Sequence, residues 1–371
     1  MLKKLSLAAL VAMGSMSVAS ATDLSSAIKG VDLKGALRIR LYNENPKDSG
    51  SYNKWRTNAA FIFAVPVSED LKLVDRISTE TYVKNGTTGK GADTVNSDVK
   101  DNVLFAKYSK DGLTVLAGKI PVATPITDTD LFGPPSHGAG ALATYKVTDS
   151  LTLAGAFVDA LVATDPVTVG ANNTYAAAAI FNSDIADAQL WFFNVNNTID
   201  SDIVFSADIK ALEESGVALH VDYAQASLAY NDNTQKYYNV SASFKKDAFC
   251  AKLGYAATGK DGGVVALDVD SKLSAVAATH QKYSIINTAD NDMIYAKLGF
   301  QVDPKTSVYA AYTTIDKSYD DDKTKGGADE VEVGGAYKYT KKFTLSAYYS
   351  ILSDDTNGDN NEFRAEAQYK F

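Results

Sequence analysis

Apolar and polar residues alternate with a period of two along most of the chain, which is typical of β-strands with two unlike faces. In residues 31–42, Val, Leu and Ile occupy odd positions, while Asp, Lys, Arg and Tyr occupy most even ones. Residues 363–371 repeat the pattern, alternating Phe, Ala and Tyr with Arg, Glu, Gln and Lys. A helical period is not sustained beyond a candidate short helix at Leu24–Lys29. The pattern therefore predicts an all-β protein.

The connections between the predicted strands come in two kinds. Short turn signals such as Lys110-Asp111-Gly112 and Thr340-Lys341-Lys342 are each followed by a fresh strand. Long polar segments occupy residues 43–54, 85–100, 121–138, 161–172, 259–291, 317–328 and 353–361. We interpret short and long connections as strictly alternating, which favours a transmembrane antiparallel β-barrel with short periplasmic turns and long external loops.

Counting the alternating segments gives 18 strands, or 16 if one hairpin does not form. An even number places both chain ends on the periplasmic side. The predicted strands start near residues 31, 54, 71, 101, 112, 139, 151, 173, 187, 202, 216, 236, 248, 292, 306, 329, 342 and 362. A barrel of this size encloses an aqueous channel, so we expect a water-filled interior with no packed apolar core.

Aromatic residues fall near both ends of most predicted strands, where aromatic rings prefer the membrane–water interfaces. A soluble β-sandwich has no reason to show this arrangement. The predicted periplasmic belt contains Phe63, Tyr108, Tyr145, Phe181, Phe244, Phe300, Tyr339 and Phe371, with strand 10 as an exception. The predicted external belt contains Trp55, Phe157, Tyr175, Tyr223, Tyr238, Tyr255, Tyr312 and Tyr349.

Composition narrows the compartment and the partners. Met1–Ala21 has the basic start, apolar stretch and small-residue cleavage site of an export signal, which leaves residues 22–371 as a single barrel domain. The formal net charge of −9 disfavours a nucleic-acid partner. The single cysteine excludes an intrachain disulfide. After the signal, no apolar run approaches the roughly 20 residues of a membrane helix.

The five arginines of the chain are predicted to form a basic pore wall. By alternation all of them point inward, and closure of strand 18 onto strand 1 would make their strands one continuous wall. An alternative, compatible with this role, is that they pair with lumenal carboxylates such as Asp32, Glu80 and Glu366. The predicted wall residues are Arg38, Arg40, Arg56, Arg76 and Arg364.

The third external loop, residues 121–138, is the predicted constriction. It carries Asp128 and Asp130, contains no Lys or Arg, and is stiffened by prolines and glycines. Folded into the lumen, its acids would face the arginine wall and create a transverse field that favours polar solutes. The alternative is an exposed surface loop with scattered acids.

Several segments resemble the major outer membrane porins of Campylobacter and related epsilon-proteobacteria. They are residues 22–24, 27–35, 37–38, 116–119, 126–128, 189–191 and 368–371. The resemblance implies a barrel, usually a homotrimer, that passes small hydrophilic solutes with a cation preference. It also implies that terminal Phe371 is read by the barrel-assembly machinery.

Signals for bond chemistry are weak. His220 and Asp222 share a strand face, as a general base and its orienting carboxylate would, but no nucleophile accompanies them. No cluster has zinc-ligand spacing. The acidic groups Asp320–Asp322, Asp354 with Asp355 and Asp359, and Asp128 with Asp130 are weak candidates for a divalent cation such as Ca²⁺. We otherwise expect no cofactor and no enzymatic activity.

The sequence thus predicts a diffusion porin in the outer membrane of a Gram-negative bacterium, surrounded by outer-membrane lipid. The mature chain's acidity favours a modest cation preference. One alternative is a monomeric, substrate-selective channel whose wall arginines bind an anionic nutrient. Others are an outer-membrane barrel enzyme or adhesin, and a secreted soluble β-protein.

Overall fold

A computed structural model describes residues 30–86, 94–132, 135–163, 172–210, 212–230, 232–286, 288–317 and 326–371. The expected export signal and the candidate helix at Leu24–Lys29 lie outside these residues. The strands are β1 Asp32–Pro46, β2 Tyr52–Pro66, β3 Leu71–Gly86, β4 Thr94–Lys110, β5 Leu113–Pro121, β6 His137–Lys146, β7 Leu151–Val162, β8 Thr174–Asn182, β9 Ala186–Val195, β10 Ile199–Ile209, β11 Val217–Leu228, β12 Thr234–Lys246, β13 Phe249–Thr258, β14 Asn291–Gln301, β15 Thr306–Lys317, β16 Gly326–Lys338, β17 Phe343–Asp354 and β18 Asn360–Lys370.

The sheet closes on itself. Each strand pairs antiparallel with the next along the chain, and β18 pairs with β1 from Ala36↔Lys370 to Pro46↔Asn360. The terminal residue extends the closure, because Phe371 N–H donates to Gly35 O at 3.0 Å and Gly35 N–H donates to Phe371 O at 3.2 Å. No sheet edge is left in the ring, as a backbone in lipid requires. The predicted 18-strand closed barrel is confirmed.

The two faces of the wall follow the alternation in the sequence. On β1, Leu37 and Ile39 point outward and are 41% and 49% exposed, whereas Arg38 between them is 5% exposed. The outer ends of the strands carry aromatic rings that pair across strands, such as Phe157 with Tyr175, whose centroids lie 5.4 Å apart. The outer face is thus suited to acyl chains bounded by two aromatic belts.

The predicted strand positions are close to the observed ones, with two kinds of departure. Seventeen strands begin within three residues of the predicted starts, but β4 begins at Thr94 instead of residue 101. The strict alternation of short and long connections is wrong at four external sites, two of which are the five-residue links 47–51 between β1 and β2 and 355–359 between β17 and β18. The β9–β10 link spans only residues 196–198 and the β11–β12 link only 229–233.

The expectation of an interior without an apolar core is also wrong. Part of the lumen holds a hydrophobic cluster that includes Ile126 from the β5–β6 connection and Leu267 and Leu273 from the β13–β14 connection. These side chains share the cluster with inward residues of the wall, such as Phe193 on β9 and Tyr237 on β12. Period-two alternation distinguishes the two faces but does not require the inner face to be polar on every strand.

Among the described residues, no helix is long and apolar enough to cross a membrane.

Replacing Leu253 with Arg tests which face of the wall meets lipid. Leu253 lies outward on β13 between Phe249 and Tyr255 and is 61% exposed. A cationic side chain at this depth should destabilise the barrel by roughly 2–4 kcal/mol, measured as the free energy of unfolding in lipid vesicles. The control Lys252→Arg places the same group on the inner face and should be nearly neutral. Equal destabilisation would contradict the assignment of faces.

Candidate functional site

Loop L3, the β5–β6 connection (residues 122–136), is stabilised by hydrogen bonds at its base and within the loop. Val122 N–H donates to Ser136 O at 2.8 Å, which continues the pairing of β5 with β6. The Thr127 hydroxyl donates to Val122 O at 2.5 Å, and Asp128 Oδ1 accepts the Asp130 N–H at 2.7 Å. Such side-chain turns give irregular backbone a fixed shape. Residues 133 and 134 of the predicted constriction lie outside the described part.

The tip of L3 is held by donors from the barrel wall. Arg76 Nη2 donates to the carbonyl oxygens of Asp130 and Leu131 at 2.6 and 2.7 Å. Asn58 Nδ2 makes a longer bond of 3.3 Å to the Phe132 carbonyl. The backbone carbonyls of Asp130, Leu131 and Phe132 lie outside the strands and have no partner in a strand pair. Each of them therefore accepts a hydrogen bond from the barrel wall. Two wall residues thus fix the loop within the lumen, since backbone acceptors removed from water need partners.

Arg38 contacts the side chains of two L3 residues, Asp130 and Phe132. Its Nη1 lies 3.7 Å from Asp130 Oδ2, and its guanidinium carbon lies 4.1 Å from the Phe132 ring centroid. Its Nε and Nη2 donate to Asn58 Oδ1 at 3.3 and 3.1 Å. The guanidinium is therefore packed between the wall and the loop, and L3 contacts two of the five predicted wall arginines.

The other three predicted wall arginines lie on the inner face but do not take part in the described L3 contacts. Arg40 pairs with Glu366, and Arg56 Nη2 lies 2.7 Å from Glu80 Oε2. The guanidinium carbon of Arg364 lies 4.5 Å from the Tyr348 ring centroid and 5.9 Å from that of Tyr42. Asp32 pairs with Lys34, and not with an arginine. A role for these arginines as a basic pore wall stays a prediction.

A second loop, which the sequence analysis did not place, also enters the barrel. Loop L7, the β13–β14 connection (residues 259–290), meets L3 when Leu267 N–H and Asp268 N–H both donate to Ile126 O, at 2.9 and 3.0 Å. The Ser136 hydroxyl donates to Asp268 Oδ2 at 2.8 Å. The two loops thus form one structure inside the lumen.

The far end of L7 is bound to the inner face of β16 and its neighbours. Glu330, which is fully buried, accepts the N–H of Lys282 at 2.7 Å and that of Gln281 at 3.1 Å. Glu332, also fully buried, accepts from His280 Nδ1 at 2.8 Å, and Lys282 pairs with Asp354. L7 therefore contacts both L3 and the inner face of β16 and β17. In the sequence, Glu330 and Glu332 alternate with Val331 and Val333. This pattern is typical of any strand with a lumenal face and does not indicate a contact with L7.

A cavity of about 390 Å³ lies beside the tip of L3 and bears both signs of charge. Burial, together with the neighbouring carboxylates Asp130, Asp268 and Asp270, raises the pKa of Asp128 to about 6. The lining residues are Arg38, Thr127, Asp128, Thr129, Asp130, Leu131, Phe132, Asp270, Lys272, Gln368 and Lys370. L3, L7 and the β1–β18 wall therefore converge here, which makes the cavity the candidate constriction.

The weaker chemical candidates of the sequence occupy other parts of the chain. Both ring nitrogens of His220 bond to carboxylates, Asp208 at 2.7 Å and Asp222 at 2.8 Å, so the ring is held in the wall. Within the described residues, no group of three or more His, Cys, Asp or Glu side chains could hold a metal. Asp320–Asp322 fall outside those residues. A loop-bound divalent cation therefore stays a prediction.

Replacing Arg76 with Met should loosen the constriction while leaving the barrel intact. Two L3 carbonyls would lose their donors, each at a cost of about 1–3 kcal/mol. Open-channel current noise in planar bilayers should then rise well above that of the parent. The control Arg364→Met removes a lumenal arginine that contacts tyrosines of the wall, and its noise should match the parent. Equal noise in both variants would refute the anchoring role.

Comparison with known families supports the resemblance seen in the sequence. Residues 1–172 match the family model described as Campylobacter major outer membrane protein. The matched part includes β1–β7 and the whole of L3. The match confirms the family resemblance. A comparison with curated protein sequences gave no match.

Solved structures share the fold at low sequence identity. Pseudomonas aeruginosa OpdQ is 13% identical, with a TM-score of 0.72 over 92% of this chain and 99% of its own. Acinetobacter baumannii OccAB3 is 11% identical, with a TM-score of 0.74 over 92% and 99%. Pseudomonas aeruginosa OccK9 (OpdG) is 14% identical, with a TM-score of 0.73 over 93% and 99%. The chain therefore shares the fold of these proteins.

Proposed function

We propose that this outer-membrane porin is a general diffusion channel that passes small hydrophilic solutes and ions with a preference for cations. The family match and the closed barrel indicate a non-enzymatic channel in the outer membrane of a Gram-negative bacterium. The proposal concerns the class of solute that passes through the channel and the sign of charge that the channel prefers.

The observation that carries the proposal is the unequal exposure of the two paired charges Arg38 and Asp130 at the constriction. Asp130 presents a side chain that is 44% exposed, whereas its partner Arg38 is 5% exposed and packed beneath Phe132. Arg76 donates hydrogen bonds to L3 carbonyls, and Arg40 is paired with Glu366. Within the Arg38–Asp130 pair, the negative charge is thus more open to the path than the positive charge, while exposed Asp270, Lys272 and Lys370 also line the cavity. A field of this sign raises the local concentration of cations.

The polar lining supports hydrophilic solutes as the class that passes. L3 and L7 together narrow the lumen, and the cavity beside them is lined largely by charged and hydroxyl side chains. A small polar solute can exchange water for these groups, whereas an apolar one loses hydration without replacement.

Assembly and partners are further parts of the proposal. The expected homotrimer and the surrounding lipid fit an apolar outer face, but the trimer itself stays a prediction. Recognition of Phe371 by the barrel-assembly machinery also stays a prediction. The Phe371 ring lies 6.0 Å from that of Phe61, and its backbone is paired with Gly35. A recognition step that reads Phe371 would therefore precede closure of the barrel.

The reversal potential in a planar bilayer with a salt gradient tests the selectivity. The parent should favour cations, and Asp130→Asn should reduce that preference about two-fold or more because it removes the exposed charge at the constriction. Asp359→Asn, on an external loop, is the control and should change little. An anion preference in the parent would overturn the proposal. Saturable, solute-specific transport would favour the substrate-selective alternative.

The raised pKa of Asp128 predicts a pH dependence of selectivity. The carboxyl is negative above about pH 6 and neutral below it, so cation preference should fall on acidification from pH 7.5 to pH 5. Carboxyls with ordinary pKa values near 4 stay mostly ionised in this window. The change should be smaller in Asp128→Asn, whose remaining pH dependence reports other titrating groups. Identical pH profiles of parent and variant would exclude Asp128 as the titrating group.

A further inference from the structure

Lysines in or beside the periplasmic turns are paired on one side of the barrel and unpaired on the other. In the turns up to β11, each such lysine pairs with a carboxylate: Lys110 with Asp70 at 3.2 Å, Lys146 with Asp149 at 3.0 Å and Lys210 with Asp187 at 2.6 Å. In the turns from β12 to β17, the lysines are exposed and form no ion pair with a carboxylate of the described residues. They are Lys245, Lys246, Lys305, Lys338, Lys341 and Lys342.

Strand pairing holds four of these lysines close together. Lys338 N–H donates to Lys305 O at 2.8 Å, which places the last residue of β16 beside the β14–β15 turn. Lys341 and Lys342 follow in the turn between β16 and β17. We call Lys305, Lys338, Lys341 and Lys342 the basic rim. Like charges on neighbouring strand positions repel each other, so this arrangement is unfavourable unless an anion lies near it.

The acid closest in sequence to the basic rim, Asp303, is held by the backbone of its own turn. Its Oδ1 accepts the N–H groups of Lys305 and Thr306 at 2.7 and 2.9 Å. Hydrogen bonds of this kind fix the turn and do not place the carboxylate between the ammonium groups. One carboxylate beside four ammonium groups leaves the basic rim strongly positive.

The aromatic belt fixes the depth of the basic rim. Tyr337 is 40% exposed on the outer face directly before Lys338, and Tyr339 directly after it is 61% exposed. The ring of Tyr339 meets that of Phe343 edge-on, with centroids 6.2 Å apart. Aromatic rings prefer the membrane–water interface, and a lysine stem can follow apolar surface while its ammonium stays in the polar layer. The ammonium groups of the rim therefore lie at the depth of lipid headgroups.

We propose that the basic rim binds anionic phospholipid headgroups of the periplasmic leaflet. An anionic headgroup supplies the negative charge that the row of lysines lacks, and each lysine near such a surface adds to the attraction. A zwitterionic headgroup brings an ammonium of its own and supplies no net charge. The paired lysines on the other side of the barrel already have carboxylate partners, so this lipid preference belongs to one side. The proposal goes beyond the transport proposed above and does not depend on it.

Native mass spectrometry of the detergent-purified protein, titrated with phosphatidylglycerol or phosphatidylethanolamine, tests the proposal. The parent should retain phosphatidylglycerol at lower lipid concentrations than phosphatidylethanolamine. A triple variant of the rim should lower the apparent affinity for phosphatidylglycerol about ten-fold or more, because three unpaired charges are lost. Its affinity for phosphatidylethanolamine should stay close to that of the parent. The substitutions are Lys305→Gln, Lys341→Gln and Lys342→Gln.

A matched control removes the same charge from paired lysines at the same end of the barrel. It should bind phosphatidylglycerol like the parent. Its substitutions are Lys110→Gln, Lys146→Gln and Lys210→Gln. Heat-modifiable mobility on gels checks that each barrel folds, and the comparison of the two lipids in the parent does not depend on any variant.

Three outcomes would overturn the proposal. The first is equal affinity of the parent for the two lipids, and the second is an equal loss of phosphatidylglycerol binding in the rim variant and the control. The third is co-sedimentation with purified peptidoglycan that the rim variant loses while it keeps phosphatidylglycerol, which would assign the rim to the cell-wall polymer. Single-channel conductance is read separately, because its loss would contradict the proposed transport and not the binding of lipid.

Discussion

Every backbone N–H and C=O within the hydrocarbon layer must have a partner inside the protein, and the rest of this structure depends on that constraint. The chain meets it by pairing 18 consecutive strands and joining β18 to β1 over eleven register pairs. Closure then makes one face of every strand external and the other lumenal. Leu37 and Ile39 thereby face lipid, while Arg38 lies between the wall and L3.

Backbone groups also need hydrogen-bond partners inside the lumen. L3 and L7 are irregular there and do not form the strand pairing of a β-sheet. Arg76 and Asn58 supply donors to L3 carbonyls, and Glu330 accepts L7 amide groups. Charged side chains are thus used as backbone partners. This use explains how long loops can be fixed in a barrel wide enough to be aqueous. It also decides which charges remain exposed to the path, because an arginine packed under Phe132 contributes less to the field than Asp130 beside it.

The lumen is consequently divided. On one side, L3 and L7 bury Ile126, Leu267 and Leu273 against inward apolar residues of the wall, as in a soluble core. On the other side, the loops leave a polar cavity against β1 and β18, lined by Arg38, Gln368 and Lys370. The apolar cluster gives the loops a stable position, and the cavity is the polar space that remains beside them. Apolar packing and open polar space are therefore located in different parts of one lumen.

The sequence by itself determined the barrel, because a period of two is a local property that each strand carries in its own residues. It predicted the faces, the strand count, the two aromatic belts and the inward position of the arginines, with 17 strand starts within three residues. Only the tertiary structure decided that Arg38 and Arg76 contact L3, that Arg40 and Arg56 pair with Glu366 and Glu80, and that L7 contacts L3 and the inner face of β16. Those contacts join residues that are 24 to 326 positions apart. Which partners meet at such distances depends on barrel closure and on where each loop enters, and alternation within a strand carries no information about either.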